Sequence, residues 1–259
     1  MEGHLPRVAF PLAIGHAWLN MTFQPISLRW MGDHGPDGLR DILQWDVRSW
    51  SVILPAWKAA MAGIPEPVSA LGIGERQGGL SLWAALQGAH VTCTDLKPFP
   101  PETRALHERH GVEERITYAQ ADVTDLPFPD ARFDVVFFKS VIGALGSREA
   151  QALALKEMHR VLRPGGVLLF AENLTGTWSH RQLRKRFVGW SGYWRYLEWP
   201  ADRALFAPFT KVEARTAGLL AALGRSEAQR DLIARVDSVL QPCVPPSWRT
   251  IVHGVAYKG

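Results

Sequence analysis

Gly74, Gly78 and Gly79 follow directly on an apolar run at residues 68–73, and Asp95 closes a second apolar run, 17 residues after Gly78. A strand that ends in glycines lets the backbone take positive φ and lets a ligand come close to the main chain. A helix starting near Gly79 turns its unpaired amides toward the same ligand. A carboxylate at the end of the neighbouring strand accepts hydrogen bonds from both hydroxyls of a ribose. Together these residues specify a holder for an adenosine-containing cofactor, whereas the glycine turn alone is a weak signal that a plain structural turn also gives. The dinucleotide fingerprint is G-x-G-x-x-G. Here Gly72-x-Gly74 is followed by Glu75-Arg-Gln before Gly78, one residue too many. Nicotinamide dinucleotides and S-adenosylmethionine share this type of unit, and the spacing speaks against the former.

The elements that must position these residues follow from the hydrophobic pattern. Strands are predicted at 68–73, 90–94, 115–119, 133–138 and 167–171, alternating with helices at 79–87, 101–110 and 148–163. Gly165-Gly166 and Pro164 are expected to end the last of these helices. Short β-branched and aromatic runs alternating with helices argue for a parallel sheet covered on both faces, with ligands bound at the carboxyl ends of the strands where the strand order reverses. Residues 33–38 read as a loop by their turn residues. From Asp41 to about Met61 the apolar spacing is helical, with an interruption expected at Pro55. The tail reads as strands at 209–219 and 251–257 around a helix at 226–240.

The chain has 259 residues, 47% hydrophobic and 21% charged, with a formal net charge of +4. This composition calls for a packed core rather than disorder. The basic residues are mostly scattered, which excludes a nucleic-acid-binding stripe; the exception is Arg181-Gln-Leu-Arg-Lys-Arg186. Cys93 and Cys243 form neither a disulfide framework nor a metal spacing and read as free thiols. No apolar run is long enough to span a bilayer, and the start lacks the features of a signal peptide. The expectation is a soluble cytoplasmic protein without a metal site.

Three further stretches make the pattern specific. They are Tyr118-Ala-Gln-Ala-Asp-Val-Thr-Asp-Leu-Pro-Phe-Pro-Asp130, Phe133-Asp-Val-Val-Phe-Phe-Lys139, and Met158-His-Arg-Val-Leu-Arg-Pro-Gly-Gly-Val-Leu-Leu-Phe-Ala-Glu172. Their order resembles the class I S-adenosylmethionine-dependent methyltransferases over roughly residues 65–175. The resemblance implies a Rossmann-like, seven-stranded, mostly parallel α/β sheet ending in an antiparallel edge hairpin. It implies a helical N-terminal extension (1–62) closing over a methyltransferase domain (63–259), which carries an aromatic insertion at about 176–205. It places the 74–78 turn under the methionine part of the cofactor, Asp95 on the ribose, Leu96 on the adenine face, and Asp122 and the Val123 amide on the adenine edge. Lys139 and Ser140 would lie near the cofactor's amino acid end or the substrate, and Trp50 near the cofactor.

The usual loop of this family reads acidic-x-Gly-x-Gly-x-Gly, so Gly72 replaces the acid and Arg76 replaces the second glycine. Glu75 stands ready to substitute for the acid from another position. Arg76 either bonds the methionine carboxylate or points to solvent. A narrower resemblance is carried by Trp45-Asp-Val-Arg-Ser-Trp-Ser51, Phe138-Lys-Ser-Val-Ile-Gly143, Ala171-Glu-Asn-Leu174 and the stretch from His180 to Trp190. It is to a bacterial methyltransferase subgroup found among polysaccharide-biosynthesis enzymes, and it implies a sugar or glycan hydroxyl as acceptor.

Methyl transfer is an in-line displacement at a sulfonium, so holding the acceptor about 3 Å from the methyl carbon supplies much of the rate. A hydroxyl acceptor also has a proton to lose to a base within reach. Candidates beyond the strand ends are Lys139, Glu172 and His180. Glu172 reads as a base or hydroxyl clamp, or else as a helix cap or ion-pair partner. His180 has a base's ordinary pKa, or is a plain half-buried histidine. Lys139 neutralises a carboxylate, or forms a structural ion pair. The basic run 181–186 is either a solvated face or a seat for an anionic substrate. The expectation is therefore transfer of a methyl group from S-adenosylmethionine to a sugar or glycan hydroxyl. The alternatives are a small-molecule O- or N-methyltransferase of secondary metabolism and a cofactor-binding protein that has lost catalysis.

Overall fold

The computed structural model describes residues 35–189 and 191–259. Seven strands, β1 (Ser69–Ile73), β2 (His90–Asp95), β3 (Ile116–Gln120), β4 (Phe133–Lys139), β5 (Leu162–Asn173), β6 (Lys211–Ala217) and β7 (Ile251–Tyr257), form one sheet in the order β3-β2-β1-β4-β5-β7-β6. β1 to β5 pair in parallel, and β7 runs antiparallel to both β5 and β6. This is the Rossmann-like methyltransferase topology with its edge hairpin. The strand order turns between β1 and β4, which opens the crevice where ligands bind in such sheets.

Both faces of the sheet are covered, which is why the central strands are apolar on both sides. On β4, Val135 and Phe137 join one core with Trp57, Leu82 and Trp83, while Val136 and Phe138 join the other with Leu155, Met158 and Phe206. The first core receives α1 (Gly35–Leu43), α3 (Leu54–Ala62) and α4 (Gly79–Leu86); the second receives α6 (Arg148–Val161). The N-terminal helices thus share the sheet's own core. No described helix is long and apolar enough to cross a membrane.

The differences from the sequence reading have local causes. Residues 35–38 begin helix α1, not a loop, and Asp37 suits the helix's N-terminal dipole. The interruption after it is not at Pro55 but at Gln44 and Asp46, which take left-handed φ of 67° and 46° before the short helix α2 (Val47–Trp50). Pro55 sits in the first turn of α3, where its missing N–H leaves no bond unmade. Helix α6 stops at Val161, and β5 starts at once with Leu162 opposite Phe133. Arg163-Pro-Gly-Gly166 then lies at an irregularity of that ladder rather than at a helix end. Residues 1–34, with the first two residues of the predicted 33–38 loop, and Trp190 lie outside the described residues.

His253 on β7 is 5% exposed and pairs across the ladder with Arg215. Burial first, and the Arg215 charge second, push its pKa down to about 4. Its folded pKa is depressed, so acidification below the ordinary value of 6.5 protonates the unfolded chain before the folded one. Stability is therefore lost as pH falls from about 6.5 toward 4, by about 3 kcal/mol for this group. Urea unfolding of His253→Gln across this window should show a flatter acid limb than wild type. Parallel limbs would mean that the folded ring takes its proton freely.

Candidate cofactor and active site

The crevice at the strand ends is built by two loops. The first, 74–78, leaves β1 with Gly74 at φ 65° and returns into α4 with Gly78 at φ 79°. A Cβ on Gly74 would lie 2.6 Å from a methyl of Val141, so glycine is required where this loop meets the segment after β4. A Cβ on Gly79 would lie 2.2 Å from the Ile42 carbonyl oxygen, which brings the end of α1 down onto the start of α4. Arg76 holds φ 49°, so the loop keeps a glycine conformation with an arginine in it, at a cost of about 1–2 kcal/mol. Its amide donates to Asp95 Oδ2 at 2.9 Å and its side chain is exposed.

Asp95, at the end of β2, stands between two backbone amides. Oδ2 takes the Arg76 amide and Oδ1 takes the Lys97 amide at 2.9 Å, so each oxygen keeps a further acceptor site. Leu96 beside it is 60% exposed, an apolar face on offer. The Ala121 amide donates to the Asp95 carbonyl, which brings the loop after β3 alongside. There Asp122 Oδ1 accepts from both the amide and the hydroxyl of Thr124, and Val123 is buried. Asp95, Leu96, Asp122 and Val123 are therefore brought together at adjoining strand ends.

Glu75 is buried, although it belongs to the loop. Its Oε2 accepts the Ser81 amide of α4 at 2.6 Å. Burial pushes its pKa up to about 7 against the help of Ser81 and the more distant Lys139. Lys139, at the end of β4, donates from Nζ to the Leu43 carbonyl at 2.6 Å, with its ammonium 4.6 Å from the Trp45 ring centroid and 5.2 Å from that of Trp50. Burial lowers its pKa to about 7, while Asp46 and Glu75 oppose the shift. The two tryptophans pack edge to face. Trp50, expected near the cofactor, is fully buried in the core, and Trp45 is the partly exposed ring.

This corner is latched from the far end of the chain. Helix α8 (Glu227–Leu240) sends Glu227 to the amides of Asp46 and Val47, at 2.9 and 2.7 Å, and Asp231 to Arg48. Sequence spacing carries no signal for contacts 180 residues apart.

The second loop follows β4, with Ser140 at φ 58°. Glu172 holds it: Oε2 accepts the amides of Val141 and Gly143, and Oε1 accepts the Asn173 amide. Glu172 is fully buried and its carboxyl pKa is raised by burial. It is an anchor for backbone amides, not an open base. His180 also departs from its expected role. It is buried on α7 (Trp178–Phe187), where its Nδ1 meets the Thr177 hydroxyl and its Nε2 the Leu219 carbonyl. Both ring nitrogens are thereby committed, and burial lowers its pKa. Within the basic run, Arg184 is buried, donating to the Leu174 and Thr175 carbonyls beneath the Tyr196 ring, whereas Arg181, Lys185 and Arg186 are exposed.

Trp194 of the aromatic insertion packs directly on Gly143: a Cβ there would fall 2.0 Å from Nε1. The insertion is tied down by Asp202, fully buried and bridging Arg148 and Arg195. These contacts place part of the insertion against the second loop. The described residues contain no cluster of three or more metal-ligating side chains.

Residues 71–170 match the family described as Methyltransferase domain. The chain is 38% identical over 111 residues to an uncharacterized protein of Mycobacterium bovis, covering 42% of this chain and 38% of that protein. It is 33% identical over 121 residues to the malonyl-[acyl-carrier protein] O-methyltransferase of Pseudescherichia vulneris, covering 46% and 44%. The chain thus spans between about a quarter and about two fifths of the length of the curated relatives it matches. Among solved structures it resembles a phosphoethanolamine N-methyltransferase of Haemonchus contortus in complex with phosphomonomethylethanolamine and S-adenosylhomocysteine. That TM-score is 0.57 at 20% identity, over 81% of this chain and 52% of that one. The likeness is one of fold.

Proposed function

We propose that this chain, whose residues 71–170 match a methyltransferase domain, is an enzyme that transfers the methyl group of S-adenosylmethionine to a small-molecule acceptor. The observation that carries the reading is the meeting, at the β1–β4 turn of the sheet, of the 74–78 loop with the Asp95 carboxylate. The residues fit the donor. Gly74 lets the loop close onto Val141 of the segment after β4, Asp95 retains acceptor capacity on both oxygens, and Leu96 offers an apolar face.

Asp95 would orient the ribose, Leu96 and Val123 would hold the adenine, and Asp122 would accept from its amino group. Lys139 would meet the carboxylate end by exchanging its Leu43 acceptor. When bound, the donor supplies an activated methyl on a positively charged sulfur. The chain's own contribution is then placement. The Ser140 loop, held by Glu172, and the insertion resting on Gly143 would fix the acceptor in line. Trp45 offers a ring to a cation in the same corner.

The acceptor is the open part of the reading. The named relatives act on a malonyl group carried by a protein and on phosphoethanolamine, and neither is a sugar. A sugar hydroxyl therefore has only the sequence resemblance behind it, and the exposed Arg181, Lys185 and Arg186 favour an anionic acceptor of any scaffold.

Incubation with methyl-labelled donor and a panel of nucleotide sugars, phosphorylated amines, hydroxy acids and acyl thioesters tests this. Label transfer to one class is expected. Donor binding without transfer to any class would favour a chain that has kept its cofactor site and lost catalysis, and absence of donor binding would overturn both.

A further inference from the structure

Gly72 and Glu75 are a matched pair. Gly72 lies in the buried part of β1, with nothing in its φ that calls for glycine. What calls for it is space: a Cβ there would sit 2.9 Å from Glu75 Cγ, 2.8 Å from Ser81 Oγ and 2.8 Å from Phe137 Cε2. The Glu75 side chain crosses the place where a side chain of residue 72 would begin. Its carboxylate ends on the Ser81 amide, in the first turn of α4. Its backbone is pinned as well, by the Thr94 carbonyl at 3.0 Å and by the Gly78 amide at 2.7 Å.

A carboxylate buried to this degree, in a loop with free access to water, is an expensive arrangement unless its charge is used. Lys139, across the crevice on β4, is the cation that bears on it. Asp95 and Cys93 on β2 are its unfavourable neighbours.

Resting on the reading of this crevice as the donor site, we infer that Glu75 is that site's acid, displaced along the loop from position 72. From there it fixes the 74–78 turn and the start of α4 beneath the donor, and glycine at 72 leaves the space in which its side chain packs with Phe137 and Ser81. Glu75 is thus a positioning residue, acting through the Ser81 amide and the loop backbone. The arrangement makes the two positions exclusive: the crevice floor takes one acid, from either residue, but not two.

The reciprocal exchange tests it, with affinity for S-adenosylhomocysteine measured by titration calorimetry. Glu75→Ala should weaken binding at least tenfold, and Glu75→Gln should weaken it too, since the amide keeps the shape without the charge. Gly72→Asp alone should weaken it more, by forcing two carboxylates together. Gly72→Asp combined with Glu75→Ala should bind better than either single variant, while Gly72→Ala with Glu75→Ala should not recover. Retained affinity in Glu75→Ala and Glu75→Gln overturns the inference. So does a folded double exchange that binds no better than its parents. If the wild type does not bind, the donor reading itself falls and takes this inference with it; if it binds, only the exchange is at stake.

Discussion

Replacing Asp95 with alanine should lower affinity for S-adenosylhomocysteine about 100-fold or more. On the proposed reading two charge-assisted hydrogen bonds from the ribose to this carboxylate are lost, each of about 1.5–3 kcal/mol. A second effect adds to this. The Asp95 carboxylate also accepts the Arg76 amide, and Arg76 holds a left-handed backbone that a side chain disfavours. Without the anchor, the turn is free to relax away from the donor. Titration of wild type and variant, with NAD as a control ligand, reads the effect directly. Micromolar binding that collapses in Asp95→Ala fixes both the cofactor class and the ribose contact. Binding indifferent to Asp95 would mean that the donor lies elsewhere in the crevice.

The largest expected effect on stability is at Glu172. Its buried carboxylate satisfies the buried amide of Gly143 and the part-buried amides of Val141 and Asn173. Glu172→Ala leaves them without acceptors. At about 1–3 kcal/mol for each buried unsatisfied group, the loss should reach about 3–5 kcal/mol, most of a domain's ordinary margin. Glu172→Gln keeps one acceptor oxygen and should cost less. Urea unfolding of the three proteins checks the order. An open catalytic base would behave in the opposite way: Glu172→Gln would unfold like wild type and lose turnover. The same reasoning applies to His180, which caps its own helix through Thr177 and ties α7 to the Leu219 carbonyl.

Much of the fold was legible because its signals are local. Residues 251–257 read as a strand and form one with those bounds. The glycines at 74 and 78 announce positive φ and have it. The carboxylate at 95 follows an apolar run and stands at a strand end. Each of these depends on a residue and its nearest neighbours, which a linear reading contains.

The breaks in the N-terminal helix were not legible. Gln44 and Asp46 adopt left-handed backbone in a corner that Glu227 and Lys139 hold from far along the chain. A carboxylate and an imidazole at strand ends also read as chemistry, since residue type and position are all a sequence offers. Only the tertiary structure decides whether such a group faces an open crevice or spends its hydrogen bonds on buried amides, as Glu172 does.

The sequence by itself determined the sheet, the 74–78 loop and the carboxylate beside it, because periodicity and turn chemistry are properties of short stretches. The tertiary structure decided which polar groups are committed and that Glu75 fills the space left by Gly72. Those are questions of which distant atoms compete for the same buried space.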